Sequence, residues 1–251
     1  MSAARSGALW ARIRTTLEAR AAERAGTFLD ARLAATTFTG AGLLARVDEL
    51  AGRLGALGID RDGPLGILAS SQETQVVHFL AALAAGRKPA LLTPPNRKLH
   101  PAHYLEMLEG VTRRCRFAAI VSEIEAPAVA ATLLEPETLR PIQECAGPPA
   151  VAVGAASFLQ FSSGTTGIKR GVLVSDAAAL AQIDAYAGAI DLSAGDTIVS
   201  WLPLYHDMGF MACMLTPLAR GTHTVMLNPL DWVARPSLYL RAVSAWRGTL
   251  S

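Results

Sequence analysis

The chain has 251 residues, of which 51% are hydrophobic, and 23 basic and 21 acidic residues leave a net charge of +2. This is enough apolar material for one large domain or two small ones. No block of like charge stands out, so composition gives no support for nucleic-acid binding. No apolar run reaches the length of a membrane span. The three widely spaced cysteines indicate free thiols in a reducing cytoplasm, and their spacing predicts no metal site.

The first 24 residues contain five arginines and two acids. They predict an amphipathic surface helix with Leu9, Ile13, Thr16, Leu17 and Ala21 on one side. A transit peptide is the alternative.

Strand-like and helical patterns alternate after residue 60. We predict strands at 64–69, 89–92, 117–121, 157–161, 171–174, 196–202 and 222–227, and helices at 71–85, 104–113, 126–134, 176–189, 207–218 and 231–246. Ser70 or Ser71 and Ser175 are expected to cap two of these helices. This rhythm is typical of an α/β fold with mostly parallel sheets and helices on both faces.

A proline-rich segment separates the two halves of the chain. Residues 135–154 hold four prolines and two glycines, which favours a connector. We therefore predict a helical lead-in at 1–38, a first α/β subdomain at 39–134 and a second at 155–251.

The most distinctive segment is the loop at residues 162–171. It holds two serines, two threonines, three glycines and two cations, and apolar strand-like runs lie on both sides. Hydroxyls, free backbone N–H groups and positive charge in one loop suit a polyphosphate. Composition alone also fits a flexible hairpin. The order of residues matches neither the common Gly-x-x-x-x-Gly-Lys phosphate loop nor a Gly-x-Ser-x-Gly nucleophile elbow.

A second segment, Trp-Leu-Pro-Leu-Tyr-His-Asp-Met-Gly, occupies residues 201–209. Together the two segments resemble the AMP-forming acyl-adenylating superfamily, from about Thr39 onward. The second segment looks most like that of fatty acyl-AMP ligases and related carrier-loading ligases. One departure is Lys169-Arg170, where the family has Pro-Lys. Arg170 keeps the positive charge, and Lys169 adds a backbone N–H that proline lacks.

The resemblance implies that the loop binds the β- and γ-phosphates of ATP, with Mg²⁺ accompanying the nucleotide. The implied binding residues are Ser162, Ser163, Gly164, Thr165, Thr166, Gly167, Lys169, Arg170 and Gly171. Arg170 is also an implied catalytic residue, because its charge would offset that of the leaving pyrophosphate. No protein metal ligands are assigned.

The resemblance places His206 beside the substrate carboxylate and the α-phosphate, as the second implied catalytic residue. It would donate a hydrogen bond there or gate an acyl tunnel. Tyr205 would form a wall of the nucleotide or acyl site, and Asp207 would orient His206 or cap the next helix. The methionines at 208, 211 and 214 fit either an acyl pocket or ordinary core packing.

The implied reaction converts a carboxylic acid, with a fatty or other apolar acyl group, into an acyl-AMP, a step of lipid metabolism. The acyl group then passes to the thiol of an acyl carrier protein or of CoA. An acyl-CoA synthetase or an amino-acid adenylation domain is the enzymatic alternative. A non-catalytic half-domain that binds a nucleotide or a partner is the other.

Three further motifs of the family have no counterpart among these 251 residues. They are an aromatic-Gly-x-Thr-Glu segment, a Thr-Gly-Asp and a late lysine. We therefore expect a truncated N-terminal portion of the large domain, with little or no adenylation by this chain alone.

Replacing Thr165 and Thr166 together by valine should abolish ATP binding, because valine keeps the shape of threonine and removes the hydroxyl donor. Equilibrium titration with ATP measures the effect. Unchanged affinity would contradict the assignment of this loop to phosphate.

Overall fold

A computed structural model describes residues 7–60, 63–95, 100–123, 132–139, 141–143, 156–161 and 170–251. The strands are β1 Arg24–Leu29, β2 Ala35–Thr39, β3 Pro64–Leu68, β4 Lys88–Leu91, β5 Ala119–Ser122, β6 Thr132–Leu134, β7 Pro141–Gln143, β8 Ala156–Phe161, β9 Gly171–Ser175, β10 Thr197–Ser200 and β11 His223–Leu227. The helices are α1 Ala8–Ala19, α2 Gly40–Ala56, α3 Gln72–Ala84, α4 Pro101–Cys115, α5 Asp176–Ala189, α6 Asp207–Phe210, α7 Thr216–Arg220, α8 Pro229–Ala234 and α9 Ser237–Trp246, with a π-helical turn at Met211–Leu215.

Two mixed sheets and one hairpin organise these strands. The first sheet has the order β10-β11-β1-β2, in which the first three strands are parallel and β2 is antiparallel. The second has the order β4-β3-β5-β6-β7, parallel except for β7. Strands β8 and β9 form an antiparallel pair. The predicted α/β class with mostly parallel sheets is confirmed.

The lead-in contributes to the core of the fold. Of the predicted apolar side, Leu9 and Ile13 on α1 are 0% exposed and Leu17 is 3% exposed. Thr16 is only partly buried, and Ala21 lies exposed in the turn after α1, because the helix ends at Ala19. Strand β1 lies between β2 and β11, so residues from both ends of the chain share one sheet. The division into 1–38, 39–134, 135–154 and 155–251 stays a prediction.

Two predicted helices need correction. Residues 132–134 of the predicted helix 126–134 form strand β6, because Leu133 and Leu134 are fully buried alongside β5; residues 124–131 lie outside the described part. The helix predicted at 231–246 is two helices, α8 and α9. They are separated at Arg235, whose extended backbone (φ −146°, ψ 83°) is typical of a residue that precedes proline.

The helix predicted at 207–218 widens into the π-helical turn because of Pro217. Proline has no backbone N–H, so the carbonyl of Cys213, four residues earlier, loses its usual helical donor. The Thr224 hydroxyl donates to that carbonyl instead, at 3.0 Å in the buried core. The N–H of Thr216 bonds five residues back, to Met211. A side chain from β11 thus satisfies the backbone just after the Tyr-His-Asp segment.

An aromatic cluster of Phe79, Phe158 and Phe210 joins three separate elements. The ring of Phe210 in α6 lies 5.0 Å from those of Phe79 in α3 and Phe158 in β8, in edge-on geometry. All three side chains are at most 3% exposed. Such edge-to-face pairs contribute roughly 0.5–1.5 kcal/mol beyond the burial of their area. The cluster therefore ties the β8-β9 hairpin to the segment that carries His206.

Stability should fall as the solution becomes acidic, because His223 is buried without a carboxylate partner among the described residues. Its Nε2 lies 2.9 Å from the Thr27 hydroxyl. Burial, assisted by the charge of Arg24, lowers its pKa from 6.5 to about 4. The unfolded chain therefore takes up the proton first. Stability is full above about pH 6.5 and falls on the order of 3 kcal/mol as the pH approaches 4. Burial also lowers the pKa of His78, in the same direction.

Urea unfolding at about pH 7 and about pH 4.5 measures this loss. His223→Gln should reduce the pH dependence. Equal stability of the unsubstituted protein at both pH values would contradict the account.

Candidate functional site

The carboxyl ends of the two sheets face each other across a cleft. The side-chain amide of Asn228, just past β11, donates to the carbonyl of Ser70, just past β3, at 3.0 Å. The amide of Gln72 donates to the carbonyl of Leu202, just past β10, at 3.2 Å. Ligands of open α/β sheets gather at the carboxyl ends of strands. These contacts join the residues that follow β3, β10 and β11, and Pro94 and Pro95 after β4 lie at the same edge, which forms the cleft.

Tyr205 and His206 lie together at this edge, in the turn between β10 and α6. The N–H of His206 donates to the Pro203 carbonyl at 3.1 Å. Tyr205 is half-buried, and burial raises the pKa of its hydroxyl. The Nδ1 of His206 lies 2.6 Å from Oδ1 of Asp207, and the imidazole is 53% exposed. Its Nε2 has no partner in the described part of the chain, so it is available to a ligand.

The predicted phosphate loop connects β8 to β9. Phe161 pairs with Gly171 at the base of this hairpin. Arg170 and Gly171 are exposed there. The other predicted phosphate-binding residues lie outside the described residues: Ser162, Ser163, Gly164, Thr165, Thr166, Gly167 and Lys169. The described link between the hairpin and the Tyr205–His206 turn runs through the Phe158–Phe210 contact.

The structure adds polar residues to the cleft that the sequence reasoning missed. Glu123 follows β5 and accepts hydrogen bonds from the N–H groups of Ser70 and Ser71, at 2.6 and 3.3 Å. It thereby fixes the start of α3, where a negative charge is favourable. Gln75 lies one turn inside α3 and is 2% exposed. The sequence signal was the placement of polar residues directly after predicted strands.

A small pocket of about 20 Å³ opens in the cleft beside Tyr205. Its lining includes Ser70, Gln75, Pro94, Asn228 and Leu230. The lining of the pocket combines residues that follow β3, β4, β10 and β11. Elsewhere the indole rings of Trp201, just after β10, and Trp232, in α8, stack 3.6 Å apart and nearly parallel.

A larger cavity of about 390 Å³ lies on the other side of Gln72 and Asn228. Its lining includes the carboxylates of Asp30, Glu73 and Asp231. Burial raises the pKa of Glu73, and burial together with the Asp30 charge raises that of Asp231. A cavity lined by acids disfavours polyphosphate. The described residues contain no group of three or more side chains suited to hold a metal ion, and no described helix is long and apolar enough to cross a membrane.

Comparison with known proteins identifies a matching family, similar sequences and similar folds. Residues 17–250 match the model of a family described as AMP-binding enzyme. The long-chain-fatty-acid–AMP ligase FadD26 of Mycobacterium marinum is 32% identical over 245 residues, covering 89% of this chain and 41% of the relative. A chain from structural studies of fatty acyl-adenylate ligases of E. coli and L. pneumophila superposes with a TM-score of 0.79 at 25% identity, over 99% of this chain and 46% of that one.

The fold also matches a fatty acyl-adenylate ligase of L. pneumophila crystallised with acyl adenylate and pyrophosphate. The TM-score is 0.79 at 22% identity, over 96% of this chain and 43% of that one. The chain thus spans less than half the length of these relatives.

Gly209→Ala should disturb the turn that holds Tyr205 and His206. A Cβ at this position would lie 2.4 Å from the Pro203 carbonyl oxygen, so α6 must shift. Overpacking of this kind costs about 1–3 kcal/mol in the free energy of unfolding, which chemical denaturation measures.

Gly110→Ala is the matched control, because an added Cβ in this turn of α4 meets nothing within 4 Å. It should be neutral or stabilise by up to about 1 kcal/mol. Equal effects of the two substitutions would contradict a steric need for glycine at 209.

Proposed function

Because this chain belongs to the AMP-binding enzyme family, we propose that it provides the phosphate- and acid-binding face of an ATP-dependent acyl-AMP ligase. The substrate is a carboxylic acid with a fatty or other apolar acyl group. The observation that carries this proposal is the Phe158–Phe210 contact. It joins β8, the strand that leads into the hydroxyl-rich loop, to α6, the helix that directly follows Tyr205 and His206.

Electrostatics favour the hairpin over the larger cavity as the site of the ATP phosphates. Lys169 and Arg170 lie in the loop, whereas the cavity is lined by three carboxylates. Mg²⁺ would enter on the nucleotide, since it is commonly held by substrate phosphates and few protein ligands. On this proposal Ser162, Ser163, Thr165 and Thr166 donate to the β- and γ-phosphates, and Arg170 balances the charge of pyrophosphate.

The reaction would need positioning rather than a nucleophilic side chain. The substrate carboxylate attacks the α-phosphorus of ATP, pyrophosphate leaves, and an acyl-AMP forms. His206 would donate from Nε2 to the carboxylate or to the α-phosphate, because Nδ1 is occupied by Asp207. Tyr205 would line the wall between the nucleotide and the acyl group.

A thiol would then accept the acyl group, from an acyl carrier protein or from CoA. The resemblance of residues 201–209 to carrier-loading ligases favours the carrier protein, and the M. marinum relative is named a fatty-acid–AMP ligase. The cytoplasm is the proposed location, because Cys115 and Cys213 are free thiols. We also propose that residues 1–251 by themselves catalyse little or no adenylation, since three motifs implied by the resemblance have no counterpart among them.

Acid-dependent exchange of labelled pyrophosphate into ATP tests this function. The assay uses the protein as its gene encodes it, with a series of saturated fatty acids. His206→Ala should lower the exchange rate about a hundredfold, because a donor to developing charge is lost. His103→Ala is the control, since His103 is exposed on α4.

The control should exchange at the unsubstituted rate. Exchange that does not depend on the added fatty acid would contradict the proposal. An unchanged exchange rate in His206→Ala would contradict it as well. Nucleotide binding without any exchange would favour the non-catalytic alternative.

A further inference from the structure

Gln75, which lines the small pocket beside Tyr205, carries a buried hydrogen-bond acceptor that no described residue satisfies. Gln75 is 2% exposed. Its side-chain nitrogen donates to the Ala69 carbonyl at 2.7 Å. Its side-chain oxygen, Oε1, is buried and has no partner among the described residues.

Two neighbouring side-chain amides, those of Asn228 and Gln72, make hydrogen bonds to other groups. The Asn228 amide donates to the Ser70 carbonyl at 3.0 Å and accepts from the Leu230 N–H at 2.9 Å. The Gln72 amide nitrogen donates to the Leu202 carbonyl at 3.2 Å. None of these interactions reaches Gln75 Oε1.

The orientation of the Gln75 amide is fixed. Rotating it by half a turn would set two oxygens against each other, Oε1 and the Ala69 carbonyl, because both are acceptors. A buried acceptor left without a partner is unfavourable, so a donor that enters the pocket gains from meeting it. Oε1 therefore has a fixed position and lacks a hydrogen-bond donor among the described residues.

The residues that line the pocket indicate which kind of donor would fit beside Gln75. Pro94, Pro203 and Leu230 present apolar surface, and the volume of about 20 Å³ suits one hydroxyl-sized group. One neutral acceptor does not compensate an ammonium for its lost hydration, and no carboxylate lines this pocket among the described residues. A neutral hydroxyl on an otherwise apolar chain is the donor that fits.

We propose that Gln75 is a specificity-determining residue, which selects a hydroxylated carboxylic acid by accepting a hydrogen bond from its hydroxyl group at Oε1. This inference rests on the proposed function and narrows its substrate class. It makes Gln75 a substrate-binding residue that shares its pocket with Tyr205.

The test compares octanoic acid with its monohydroxy isomers, one for each chain position, in the protein as its gene encodes it. Calorimetry gives the dissociation constants, and pyrophosphate exchange gives kcat/KM. At least one isomer should bind about tenfold more tightly than octanoic acid, the scale of one buried hydrogen bond. Gln75→Met removes the acceptor at similar volume and should bring the ratio to within about twofold.

Thr216→Val is the matched control. The Thr216 hydroxyl is also buried without a partner in the described chain, but it lies outside this pocket. The control should keep the tenfold preference. Gln75→Asn, which withdraws the acceptor by one methylene, replaces Gln75→Met if the latter does not fold.

The outcomes separate the two proposals. Equal binding of every isomer and octanoic acid, with exchange intact, overturns the role of Gln75 and leaves the proposed function standing. A tenfold preference for a hydroxylated isomer that persists in a folded Gln75 variant also overturns the role of Gln75. If no acid binds or supports exchange, both proposals fail.

Discussion

The aromatic contact among Phe79, Phe158 and Phe210 is the interaction on which the rest of the site depends. Each ring comes from a different element: α3, β8 and α6. A two-stranded hairpin such as the β8-β9 pair is marginal by itself, and Leu159 and Phe161 pack its other side against the core of the second sheet. Packing against a helix and a second aromatic segment makes the hairpin a rigid support for the loop that it carries. The same packing fixes where Tyr205 and His206 emerge at the cleft.

Two hydrogen bonds connect the two sheets, in addition to the packing of the aromatic cluster. Asn228 holds the end of β3, and Gln72 holds the end of β10. Hydrogen bonds are directional, so these two contacts fix the relative positions of the strand ends more sharply than apolar contact alone would. They also divide the cleft into a small neutral pocket and a larger acidic cavity, which gives the two compartments different ligand preferences.

The sequence predicted elements whose signals are local. Ser71 and Ser175 cap α3 and α5 by accepting from the N–H groups of Thr74 and Ala178, each at 3.2 Å. The sequence did not predict elements whose cause lies in a distant part of the chain. Strand β6 forms because β5 lies beside it, and the π-helical turn persists because Thr224 serves its carbonyl. At the site, the motif alone indicated Tyr205 and His206, and the structure places both at the cleft. The unpaired oxygen of Gln75 depends on the positions of its neighbours, which no local pattern encodes.

A double-mutant cycle between Phe158→Leu and Phe210→Leu tests the central claim most directly. The claim is that one aromatic contact makes the loop hairpin and the His206 turn a single mechanical unit. Chemical denaturation of the unsubstituted protein, both single variants and the double variant gives the coupling energy. The account predicts a favourable coupling of about 0.5–1.5 kcal/mol. Strict additivity of the two substitutions would contradict it.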